Sequence, residues 1–133
     1  MKKVNLVFSI LFLVAFAASG QYMRHVLGVE QWDDLTARME IRSNHIYLLF
    51  IGLLNAVVFR VTLSNHRFTV YFDVLFRILL IVAGGMALLA FWHDHNGDLF
   101  PRKFTYHEVL FSLIAVGLVG VNEIVAAVSK KKP

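Results

Sequence analysis

At 133 residues, 58% of them hydrophobic and only 17% charged, and with a mean hydropathy of +0.65, the chain is too apolar for a water-soluble domain of its size. The absence of cysteine excludes disulfides, iron–sulfur clusters, thiolate zinc sites, c-type haem attachment and cysteine nucleophiles, so any metal must sit on His, Met, carboxylate or backbone oxygen. The net charge of +4 does not point to nucleic acid, because the basic residues are spread along the chain or flank hydrophobic runs, where they anchor helices at membrane edges.

A hydrocarbon core of about 30 Å needs roughly 20 mainly apolar residues in a helix. Four stretches meet that length, 4–22, 45–63, 70–92 and 107–128. They leave no room for a separate soluble domain, and no internal repeat is visible. The expected fold is therefore all-α, a four-span transmembrane helical bundle forming one integral membrane domain over residues 1–133, with a short interfacial amphipathic segment between helices 1 and 2.

In the first span, Lys2, Lys3 and the run up to Ala15-Phe16-Ala17 imitate a secretory signal peptide. The apolar run continues through Ala18, Ser19 and Gly20, beyond the length of a signal core, so it is expected to stay as an anchor. Within 23–44, Val29, Trp32, Leu35 and Met39 recur at helical spacing and face away from Asp34 and Arg38, as in an amphipathic cover over the bundle mouth. Arg38 and Arg42 are its candidates for ligand capture. On the second span His45 shares a face with Gly52 and Ala56, small residues suited to a helix contact. The third span carries Asp73 and Arg77 four apart, a spacing that lets them pair on one helix. After it, His93-Asp94-His95-Asn96-Gly97-Asp98 alternates acids like the opening of a calcium loop, but it lacks the glycine and the twelfth-position glutamate of an EF-hand and reads as a turn. On the fourth span Glu108, Ser112, Ala115, Val119, Asn122 and Ala126 form a small and polar stripe expected to pack inward, with Glu123 at its edge and His107 off to one side.

Basic flanks orient the bundle. Lys2, Lys3, Arg67 and Lys130, Lys131 and Lys132 sit in short segments on one side, expected to be cytoplasmic, which puts both termini inside a bacterial inner (plasma) membrane. Arg24, Arg38, Arg42, Arg102 and Lys103 fall in longer loops on the other. That outer side also gathers His25, His45, His93, His95 and His107, and leaves His66 alone on the inner one. Convergent imidazoles at one depth are what a haem or a copper or zinc ion requires, and they are equally what amphipathic rings do at any membrane interface. His45 is the best single ligand candidate, with His25, His93 or His95 as its partner.

Inside the spans, polar groups are costly and therefore informative: a charge near the bilayer centre costs at least about 2.5–3.5 kcal/mol. Asn55, Asp73, Arg77 and Glu123 fall in the inner half and are expected to form an intramembrane polar network, with Glu123 near Arg77. No clear combination of nucleophile, base and orienting group and no metalloprotease helix motif appears, so catalysis has little support. Three functions remain, in this order: a non-catalytic accessory or assembly subunit whose network specifies packing; a haem- or metal-binding redox protein using the outer histidines; and a small oligomeric ion or proton transporter. Its partners would be the lipid bilayer and either further copies of the chain or a larger membrane complex.

Overall fold

The computed structural model describes residues 2–60, 67–94 and 102–129. The described chain forms four long helices: α1, Lys2–Tyr22; α2, Leu35–Arg60; α3, Arg67–His93; and α4, Lys103–Ser129. Each is long and apolar enough to cross a membrane.

Local chemistry sets the connection between the first two helices. α1 runs on into a single π-helical turn, Met23–Leu27, and stops at Gly28, whose φ of 56° is left-handed and whose N–H closes onto the Met23 carbonyl. Glycine adopts that conformation without a Cβ clash, so the chain can turn back here. A 3₁₀ turn, Val29–Gln31, follows, and the Trp32 indole N–H donates to the Leu27 carbonyl at 3.0 Å. Asp34 then caps α2, its Oδ1 accepting from the N–H groups of Thr36 and Ala37 at 2.8 and 3.1 Å. The second helix thus begins at Leu35, well before the expected span start at His45. With a carboxylate cap at Asp34 and no glycine or proline before Asn44, nothing interrupts it. Residues 23–44 are accordingly divided between a compact connector and the first turns of α2. In that arrangement Val29 is buried while Leu35 and Met39 are exposed.

The helices alternate in direction, as short connections require. Asn5 and Ser9 near the start of α1 meet Asn55 and Gly52 on the second half of α2, whereas Ser19 near its end meets His45. Asn55 reaches Leu80 and Asn44 reaches Ala90 on α3, and Asp94, just after α3, meets Thr105 at the start of α4. Apolar contacts fill the middle, with Phe12, Ile51 and Ala83 in one cluster, Ile41, Leu48, Ala87 and Phe91 in a second, and Val58, Phe76, Leu80 and Ala115 in a third. Two glycines let α1 approach its neighbours. Gly84 lies directly under the Phe12 ring, and Gly52 accepts Leu13 and the Ser9 hydroxyl.

Polarity is distributed as lipid solvation demands. Asn5, Ser9, Asn44, Asn55, Arg77, Glu108, Ser112 and Asn122 are buried, while Val7, Leu11 and Val14 on α1 and Leu113, Val116 and Ile124 on α4 face outward. A soluble bundle does the reverse. Fold and surface together define a four-helix integral membrane protein.

Candidate functional site

Two polar layers lie at opposite ends of the bundle. Arg77 and Asp94, one from each layer, are about 25 Å apart along α3 at 1.5 Å per residue, close to the hydrocarbon thickness.

The first layer centres on Arg77, whose side chain is fully buried. Its Nε and Nη2 donate to the two oxygens of Asp73 at 2.8 and 2.9 Å, a bidentate pair one helical turn long. Its Nη1 donates to the Val58 carbonyl at 3.1 Å. Val58 lies in the last described turn of α2, so Arg77 ties α3 to the second helix there. Asn55 donates to the Ile51 carbonyl at 3.0 Å and accepts from Asn5 Nδ2 at 2.8 Å, tying α1 to α2. Of the residues expected in this network, the structure brings together Asn55, Asp73 and Arg77. Glu123 stands apart, exposed on α4. The inward stripe of α4 is the expected one, with Glu108, Ser112, Ala115 and Asn122 all buried, and Glu123 lies about 100° round the helix from Asn122. Asn5 is the member that sequence reasoning missed; its signal was a lone amide in the opening turn of an apolar helix.

The second layer centres on Asn44, also fully buried. Its Nδ2 donates to the Ala90 and Asp94 carbonyls, both at 3.0 Å, closing the C-terminal end of α3. Its Oδ1 accepts from Arg102 Nη2 and lies 3.1 Å from the Thr105 hydroxyl. Asp94 accepts from the Thr105 N–H at 2.8 Å, so a carboxylate at the end of α3 caps the start of α4 and meets its positive dipole end. Arg102 donates to Ser43 at 3.1 Å, and its Nε lies 3.8 Å from Glu40 Oε1. Deeper on α4, Glu108 is buried with its Oε2 lacking a hydrogen-bond partner among the described residues. The sequence displayed Arg102 only as a topological charge, and Asn44 and Thr105 only as loop residues.

The histidines take separate roles. His45 packs on α1: its ring stacks on Phe16 with centroids 4.2 Å apart, its Nδ1 lies 2.9 Å from the Ser19 hydroxyl, and Gly20 makes room for its edge. His25 is exposed in the π-helical turn, and His93 is exposed at the end of α3 with its ring 5.6 Å from that of Phe104. His107 is exposed, as its angle on α4 predicts, with Nδ1 2.6 Å from the Lys103 carbonyl. His66 and His95 lie outside the described residues. Among the described residues no three His, Asp or Glu side chains are grouped to hold a metal ion.

No family model, curated protein or solved structure matches the chain.

Proposed function

We propose that the protein is a non-catalytic accessory or assembly subunit of a bacterial inner membrane, with both termini cytoplasmic. The observation that carries this reading is the state of Arg77. Its charge is neutralised by Asp73, its Nη1 holds the Val58 carbonyl of α2, and no face of it reaches the surface. A group so fully engaged fixes which helix ends meet, and a transport relay would instead need one free to exchange partners. The second layer works the same way, with Asn44 and Asp94 each closing the end of a neighbouring helix. What the bundle leaves open is the outer face of α4, where a side chain at Gly117 or Gly120 would meet nothing within 4 Å and Glu123 is exposed on the same helix. Small residues beside a polar group suit close approach by another transmembrane helix.

The test is purification from native membranes in mild detergent, with mass determination of the intact assembly. A stoichiometric complex is expected, lost on Gly117→Leu and Gly120→Leu while the helical circular dichroism signal is kept. A monomer with bound haem or metal in its absorption and elemental spectra would overturn the proposal in favour of a redox function. Vesicle ion flux abolished by Arg77→Met in a stable protein would do so in favour of transport.

A further inference from the structure

An open cavity of about 420 Å³ lies beside the α1–α2 connection, lined by Gly20, Met23, Arg24, Val29, Glu30 and Arg42. Gly28 turns the chain back here, and the 3₁₀ turn that follows contributes the buried Val29 and Glu30 to the lining, with Gly20 from α1. Two arginines and one glutamate are among its lining residues. Arg42 Nη2 is paired with Glu30 at 2.6 Å, and this pair is exposed. Arg24 is exposed and has no hydrogen-bond or ion-pair partner among the described residues. The acids nearest in sequence do not compensate it, since Asp34 is engaged in capping α2, Glu40 faces Arg102, and Asp33 is exposed outside the lining. The cavity therefore carries one uncompensated positive charge.

Its depth is marked by the neighbouring rings of Tyr22 and Trp92, with centroids 5.1 Å apart. Such rings settle at the headgroup level of a bilayer, where lipid phosphates also lie. Guanidinium forks match phosphate oxygens in geometry as well as charge. We propose that this cavity binds a phosphate-bearing anion, held between Arg24 and Arg42, with Glu30 occupying Arg42 until the anion displaces it. Glu30 sets the affinity in this arrangement, because the anion must compete with it for the same Nη2.

The protein is reconstituted in phosphatidylcholine bilayers containing a stepped fraction of phosphatidylglycerol and extracted in mild detergent, and the phosphatidylglycerol retained per protein is measured. Phosphatidylcholine is the internal reference, since it carries the same phosphate offset by its own cation. Wild type is expected to enrich phosphatidylglycerol. Arg24→Gln and Arg42→Gln should each lower the enrichment about fivefold, the weight of one basic residue at an anionic bilayer surface. Glu30→Gln should raise it by a similar factor, a gain that misfolding does not imitate. Inorganic phosphate, titrated against the loaded protein, assigns the source. Phosphatidylglycerol displaced by phosphate identifies a soluble anion site, whereas retained lipid identifies a headgroup site. Enrichment that is unchanged by Arg24→Gln, or that falls with Glu30→Gln, overturns the proposal.

Discussion

Removing Asp73 alone is expected to damage the protein more than removing Asp73 and Arg77 together. In Asp73→Leu the guanidinium of Arg77 stays where no solvent reaches it and loses both charge-assisted bonds to the carboxylate. Removing one partner of a buried ion pair costs about 3–5 kcal/mol. Arg77→Met leaves the opposite survivor, but the Asp73 side chain is 23% exposed where Arg77 is fully buried, so a smaller loss of about 1–3 kcal/mol is expected. The double variant strands no charge. It loses the hydrogen bond to the Val58 carbonyl, worth about 0.5–1.5 kcal/mol, and fills the arginine volume with an unbranched apolar chain. Its loss should therefore be smaller than that of Asp73→Leu and well below the sum of the singles. The four proteins are unfolded thermally in one detergent and followed by far-ultraviolet circular dichroism. A double variant whose loss equals the sum of the two single losses would show that the residues do not act as a pair, and the reading of the layer around Arg77 would fail with it.

Two adjacent glycines give a paired test on α3: Gly84→Ala forces a Cβ into the Phe12 ring and should destabilise by about 1–3 kcal/mol, whereas Gly85→Ala meets nothing within 4 Å and should be neutral or stabilising by about 0.5–1 kcal/mol in the same melting assay. Asp94→Ala removes the cap on α4 and should cost about 0.5–2 kcal/mol; hydrogen exchange should rise first at the Thr105 amide, and uniform exchange along α4 would contradict the assignment. Glu108→Gln replaces a buried carboxylate that has one unbonded oxygen and should hold or raise the melting temperature, while a loss above about 1 kcal/mol would show that its charge is needed for packing. Alkaline phosphatase fused after Pro133 should be inactive and fused between Asp94 and Asp98 active, and the reverse pattern would invert the proposed orientation.

What the sequence by itself determined is whatever depends on one helix at a time. Span length and hydropathy suffice for four membrane-length helices, because a backbone in lipid must satisfy its hydrogen bonds within its own helix. The inward stripe of α4 follows from a period of 3.6 residues, and the Asp73–Arg77 pair from a spacing of four. Tertiary structure decided everything that needs a second helix. The period puts Asn122 on the stripe and Glu123 at its edge, but that Glu123 is exposed, apart from the Asp73–Arg77 pair, is settled only by how α4 packs. Asn5 finds its partner 50 residues away, and Arg102 reaches Asn44 across 58, distances over which sequence pattern carries no register. The sequence pattern places Leu35 and Met39 in a separate interfacial segment with Asp34 on its polar side; the Asp34 cap and the burial of Ile41 and Asn44 against α3 instead make 35–44 the first turns of α2. The cap of one helix is here repeatedly a side chain of another, since lipid offers no water to close a helix end, and that requirement is met only once the helices are in place.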